Sequence, residues 1–163
     1  MQYAQINTYD IANGPGLRTS LFVQGCPIHC KGCFNQETWD FNGGKYFSGR
    51  IMQQLLSSMD EHTSGLSILG GEPLALQNSM YVRYICLTMR QTFGSNKTIW
   101  LWTGYPWESI KWMEIMKYLD VVVAGPFIEE QKDYSLPYCG SRNQQVIDVQ
   151  ASLKSNSIVL YKE

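Results

Sequence analysis

Three cysteines crowd into one short segment, Gly25-Cys26-Pro27-Ile28-His29-Cys30-Lys31-Gly32-Cys33-Phe34, with the spacing C-x3-C-x2-C. Thiolates are soft ligands, and three on so short a loop can wrap one soft metal centre. Unconnected buried cysteines are a poor explanation, because the Pro, His, Lys and Gly between them are loop residues rather than core residues. Zinc would need a fourth ligand. His29 is at hand, but it directly precedes Cys30, which makes simultaneous ligation awkward, and no second Cys-x2-Cys pair exists. The third reading is a 4Fe–4S cluster. A fully ligated cubane takes four thiolates. Three would leave one iron open to a small molecule, by the logic that leaves an open position on a catalytic zinc. The other two of the five cysteines, Cys86 and Cys139, have no motif partner and are expected to be structural.

Few other residues compete for chemistry. Gly70-Gly71-Glu72-Pro73-Leu74 and Trp102-Thr103-Gly104-Tyr105 each follow a strand-like run. Taken alone, either is an ordinary turn. No Gly-x4-Gly-Lys-Ser/Thr or Gly-x-Gly-x2-Gly pattern is present, so neither is a nucleotide loop of the familiar kinds. With only His29 and His62 available, no Ser-His-Asp order can be drawn.

The elements that must position these residues alternate between two periods. Thr19–Val23, Leu66–Leu69, Thr98–Trp102 and Val121–Ala124 are short, β-branched and aromatic, as strands covered on both faces tend to be. Gln145–Val149 and Ser157–Leu160 predict two more. Between them, Ile51, Leu55, Leu56 and Met59 fall on one helical face, with Ser48 placed to cap the helix. Met80, Tyr84 and Leu87 make a second stripe. Ile110, Met113 and Met116 make a third, opened by Pro106 or Trp107. These stripes are expected in the core. Strand–helix alternation predicts a single α/β domain over residues 1–163 with mostly parallel strands. Right-handed crossovers would curl such a sheet into an incomplete, open (β/α) barrel. Several strands end in glycine-containing loops, and that edge is where ligands sit in such folds.

Composition narrows the classes. At 163 residues and 44% hydrophobic, the chain suits one domain with a proper core. Thirteen basic against 14 acidic residues give a formal charge of −1, and the basic residues are scattered, which argues against a nucleic-acid partner. The start, Met1-Gln2-Tyr3-Ala4-Gln5-Ile6-Asn7, has neither the basic nor the apolar region of a signal peptide. The apolar stretch Val121–Ile128 is too short for a bilayer span and contains Gly125 and Pro126. A soluble, cytoplasmic protein is expected. With no export signal and an odd number of cysteines, metal or redox chemistry is favoured over a disulfide framework.

The cysteine loop after a first strand resembles the signature of the radical S-adenosylmethionine (radical SAM) enzymes. Asn13-Gly14-Pro15-Gly16-Leu17-Arg18, ahead of that strand, is similar to the glycyl-radical activating enzymes among them. Cys33-Phe34-Asn35, Gly70–Leu74, Trp102–Tyr105, Asp120–Phe127 and Gly140–Val149 follow in order, and the set resembles the activases that serve anaerobic ribonucleotide reductases. The resemblance spans nearly the whole chain. It implies that Cys26, Cys30 and Cys33 hold the cluster and are catalytic. It implies that Gly70, Gly71, Glu72 and Pro73 form the glycine-rich motif receiving the methionine part of SAM, where a Cβ would hold the ligand off the backbone. Gly32 and Phe34 would stand near the adenine, with Phe34 packing on it, because the aromatic residue that many relatives carry before the third cysteine is Gly32 here. Thr103 and Gly104 are further SAM contacts, and Ala124 replaces an acidic residue expected from many relatives. Arg142, Asn143 and Gln144 are polar residues of a late loop, facing SAM, the partner or solvent. The implied partners are the large glycyl-radical subunit of the reductase and a one-electron donor protein. The rivals are an activase of another glycyl-radical enzyme, many of which carry an inserted cysteine-rich domain that this chain has no room for, and a non-catalytic iron–sulfur or zinc module.

Overall fold

A computed structural model describes residues Met1–Glu163. Its strands are β1 (Gln2–Asp10), β2 (Leu17–Val23), β3 (Lys45–Tyr46), β4 (Thr63–Gly70), β5 (Thr98–Thr103), β6 (Val121–Ala124) and β7 (Gln145–Asp148). Its helices are α1 (Gly49–Ser57), α2 (Leu76–Phe93), α3 (Trp107–Ile110) and α4 (Val149–Ser155). The strands form one sheet in the order β3-β1-β2-β4-β5-β6-β7. β2, β4, β5 and β6 lie side by side in that order, each parallel to its neighbour and added on the same side. That winding has no switch point of the kind at which doubly wound sheets bind ligands. The four predicted central strands lie where the β-branched runs placed them.

The sheet is open and mixed rather than mostly parallel. β1 runs antiparallel to both β2 and β3, and β7 antiparallel to β6. A parallel neighbour requires a long crossover, usually a helix. The β1–β2 link is a short turn, and the β6–β7 link holds only the 3₁₀ turn Glu129–Gln131, so neither carries a crossover helix. β1 was not expected, because Gln5, Asn7 and Thr8 break its apolar pattern and only Tyr3 is buried. The run Ser157–Leu160 makes one bridge, Ile147 to Leu160, instead of a strand. Val149 belongs to α4 rather than to the strand before it, because the Asp148 carboxylate accepts the Ala151 N–H at 2.9 Å and caps the helix.

Helices cover one face of the sheet. Leu21, Leu66, Ile68, Ile99, Leu101 and Val122 point into a core shared with Leu55, Val82, Ile85 and Met89. Ser48 caps α1 as predicted, accepting the Ile51 N–H at 3.4 Å, and Leu55 and Met59 are buried. The stripe expected on α2 is on the wrong face. Met80 and Tyr84 are 63% and 60% exposed, while Val82, Ile85, Cys86 and Met89 are buried. Both sets have helical period. The compact set packs closely on the sheet, and the long Met and Tyr side chains project outward. The third predicted helix is a single turn, α3, followed by the 3₁₀ segment Glu114–Tyr118, yet Ile110 and Met116 are buried as expected. No helix is long and apolar enough to cross a membrane.

The opposite face is covered by loops. Arg18, Ser67 and Trp100 lie there, beneath the turn Asn13–Gly16. Gly14 has φ of +110°, and a Cβ on it would stand 2.9 Å from Arg18 Cδ. That glycine lets the turn lie flat on the buried arginine.

Candidate active site at the ends of the parallel strands

β2, β4 and β5 end side by side, and a cavity of 350 Å³ opens at their C-terminal ends. Cys26, Cys30 and Cys33 line it together with Phe34, Gly70, Gly71, Glu72, Thr103 and Gly104. Gly32 and Pro73 do not line it. Gly32 has φ of +72° and turns toward the 3₁₀ segment, where a Cβ would meet Glu129 Oε1 at 2.8 Å. Pro73 is buried behind the glycine turn.

The cysteine loop is anchored before the first thiol. Gly25 N–H donates to Thr38 O at 2.7 Å and Cys26 N–H to Trp39 O at 3.0 Å. His29 takes a left-handed conformation, φ +52°, and stacks on Trp39 with ring centroids 4.4 Å apart. No three His, Cys, Asp or Glu side chains close on the point a single ion would occupy. The thiols instead share a cavity wall. Backbone N–H groups are aimed at two of them. Asn35 N–H donates to Cys33 Sγ at 3.4 Å. Burial pushes the Cys26 thiol up from its ordinary range, while the N–H groups of Ile28 and His29 hold it down. Such N–H···S bonds stabilise thiolates and tune clusters. Three soft donors, half-buried around shared space and supplied with N–H groups, fit a cluster larger than one ion. Cys139 is not among them, and Cys86 is fully buried in α2 with its thiol pushed up to about 12 by desolvation.

The glycine turn has a reason for glycine within the fold itself. A Cβ on Gly71 would lie 2.5 Å from Gly25 O and 2.9 Å from Gly25 C. The clash is with the chain's own backbone. Close approach lets Gly71 N–H reach Val23 O and Glu72 N–H reach Gly25 O, both at 2.8 Å. At Gly104 the neighbour is a side chain instead, since a Cβ there would run into Ile28 Cδ1 of the cysteine loop.

The Glu72 carboxylate faces the protein's own donors. Oε1 accepts from Leu74 N–H at 2.9 Å and the Thr103 hydroxyl at 2.8 Å, and Oε2 accepts from Gly104 N–H at 2.8 Å. It therefore ties the end of β4 to the end of β5. Burial raises its carboxyl to about 6, against the downward pull of those three donors. The folded chain thus holds this proton more tightly than the unfolded one. Stability from this group is greatest below the ordinary value of 4.5 and falls as pH rises to about 6, by about 2 kcal/mol. We expect Glu72→Gln to remove that component, so that Tm measured on metal-free protein between pH 4.5 and 6 falls less, or rises more, than in the parent. Any cost of the mispaired amide is independent of pH. Identical pH slopes would contradict the assignment.

Phe34 is 56% exposed at the cavity rim, 5.3 Å from the Phe127 ring and below Lys132 Nζ at 5.0 Å. Ala124 points into the helix-side core, away from the cavity. Of the late polar loop, Gln144 reaches the cavity wall, but its amide is engaged by Gly125 O, Gly140 N–H and Ser141 N–H. Asn143 donates to Pro126 O at 2.8 Å, and Arg142 is exposed. Sequence reasoning overlooked Asn13, Phe22 and Phe127 in the lining, and Asn78 behind it. Asn13 and Phe127 stand within the Asn13–Arg18 and Asp120–Phe127 motifs, and nothing in the sequence marked Phe22 or Asn78.

An open α/β sheet with three thiols in the loop after its first parallel strand defines a class, the single-cluster iron–sulfur proteins. A family model described as a 4Fe-4S single cluster domain matches residues 12–147, and the chain belongs to that family. Within it, the chain belongs with the anaerobic ribonucleoside-triphosphate reductase-activating proteins. It is 37% identical over 147 residues to the one from Enterobacteria phage T4, covering 90% of this chain and 93% of that protein. Identity is 36% over 151 residues to those of Vibrio cholerae and Escherichia coli K12, with 90% of this chain and 97% of each relative covered.

Proposed function

We propose that this chain, as a single radical SAM domain over residues 1–163, activates an anaerobic ribonucleoside-triphosphate reductase by generating a glycyl radical on its large subunit. The observation that carries the reading is the sharing of one open cavity by Cys26, Cys30, Cys33 and the Gly70-Gly71 turn. The three thiolates would hold a 4Fe–4S cluster, and SAM would be the co-substrate. The bound group supplies one-electron reduction of SAM, which breaks the C5′–S bond and yields methionine and a 5′-deoxyadenosyl radical. That radical would take a hydrogen atom from a glycine Cα of the reductase, giving 5′-deoxyadenosine and the glycyl radical. A separate one-electron donor, placed in the cytoplasm with it, would renew the reduced state.

The chain's own residues bind, orient and exclude water. The N–H groups of Ile28, His29 and Asn35 hold two of the sulfurs. Glu72 keeps the glycine turn and Thr103 in register. Phe34 offers an apolar face at the rim for the adenine, in line with its exposure. A radical on a small substrate needs walls on every side. Here the rim is open, and exposed Phe34 and Tyr134 stand on it. A glycine-bearing loop of a large partner would complete the wall and supply the hydrogen atom.

The test mixes reduced protein, SAM and the candidate reductase without oxygen and records the electron paramagnetic resonance (EPR) spectrum. We expect a doublet-type organic radical on the reductase, absent when its radical glycine is replaced by alanine. SAM cleavage alone should be slow. Stoichiometric cleavage with a modified small molecule and no radical on the reductase would overturn the reading.

A further inference from the structure

We propose that Asn78 is a positioning residue that holds the cysteine loop against the glycine turn. Beyond Val23, β2 leaves the sheet, so the carbonyl of Gln24 has no strand to pair with, while that of Gly25 accepts from Glu72 N–H at 2.8 Å. Asn78 stands in the first turn of α2 and is 2% exposed. Its Nδ2 donates to Gln24 O at 3.0 Å, Gly25 O at 3.3 Å and Glu72 O at 3.1 Å. Two N–H bonds thus serve three carbonyls on two segments nearly 50 residues apart in the chain. Gly25 immediately precedes Cys26, so the position of the first thiol follows from this contact. Glu72 passes it on to β5 through Thr103 and Gly104. One carboxamide thereby joins three strand ends around the cavity.

No other side chain of this size can do the same. Leucine matches the volume but leaves Gln24 O with no donor in a buried place, and leaves Gly25 O and Glu72 O with only their backbone donors, Glu72 N–H and Ala75 N–H. Aspartate matches the shape but sets an oxygen against three oxygens. The role within the SAM site rests on the proposed function, whereas the role within the fold does not.

The experiment uses the full chain and three variants, Asn78→Leu, Asn78→Asp and Ile85→Val. Ile85 lies on the core face of the same helix, seven residues on from Asn78, so its variant reports ordinary loosening of α2. In cluster-free protein, the amides of Cys26, Gly71 and Glu72 should exchange about tenfold faster or more in both Asn78 variants, the equivalent of one lost hydrogen bond. Those of Val122 and Val123 in β6 should not change. In cluster-loaded protein, the Kd for SAM should rise about tenfold, and the change that SAM makes to the EPR spectrum of the reduced cluster should be altered. Ile85→Val should show neither effect. Parent-like exchange in both Asn78 variants would overturn the proposal. So would faster exchange with unaltered SAM binding, or equal effects in Ile85→Val. If the parent itself binds no SAM, the proposed function fails, and the exchange measurement decides the brace by itself.

Discussion

Cys26→Ala, Cys30→Ala and Cys33→Ala are each expected to lose cluster-dependent SAM cleavage by more than about 100-fold, beyond the 10–100-fold that follows loss of an outer-shell partner. All three thiols face the same cavity, and each is a separate third of the donor set. Removing any one leaves two, too few to retain a cluster with one open iron. Cys86→Ala and Cys139→Ala should keep iron, sulfide and cleavage at the parent level. The first is fully buried in α2, so it should cost stability of about 1 kcal/mol for one deleted buried atom. The second makes one side-chain hydrogen bond, to Gln144 O at 3.8 Å. Anaerobic iron and sulfide analysis with assay of 5′-deoxyadenosine reads all five variants. Full activity in any of the first three would remove the cluster assignment.

Arg18→Ala is expected to destabilise the fold by about 4 kcal/mol, a cavity term added to buried acceptors left without donors. At roughly 2–4 °C per kcal/mol for a chain of this size, Tm should fall by about 10 °C. Arg18 is fully buried. It donates to Ser67 Oγ at 2.7 Å, Thr98 Oγ1 at 2.9 Å, Leu66 O at 2.9 Å and Thr98 O at 3.2 Å, and packs against the Trp100 ring. Burial lowers its pKa to about 10, still above any working pH, so it enters the fold charged. The planar fork spans β2, β4 and β5 at once, which the shorter donor set of lysine cannot do. Arg18→Met fills the volume without donors and should recover only the packing part. A Tm within about 2 °C of the parent in Arg18→Ala would show that the arginine is not a brace.

Arg18 also shows where reading residues in order stops being enough. The Asn13–Arg18 motif was legible as a likeness, but its physical role was not. Ser67, whose hydroxyl donates to Asn13 O at 2.5 Å and accepts from Arg18, lies about 50 residues downstream. Gly14 of the motif makes room for that arginine, and Gly16 makes room for Ser64. Gly71 repeats the lesson. Its need for a missing Cβ was visible, but the atom it avoids, Gly25 O, belongs to the cysteine loop.

What the sequence determined alone was local chemistry. The C-x3-C-x2-C spacing sets three soft donors on one short loop, Ser48 caps the helix that follows it, and β-branched runs become central strands. These depend on neighbours a few residues away. The tertiary structure decided whatever depends on distant partners. It chose Val82, Ile85 and Met89 over Met80 and Tyr84 as the buried face of α2, because a face is buried only by what packs on it. It made β1 and β7 antiparallel edges, because their connections lack a crossover. It turned Glu72 and Asn78 inward as braces, because carbonyls and N–H groups released at strand ends must be paired when buried, and these side chains are within reach.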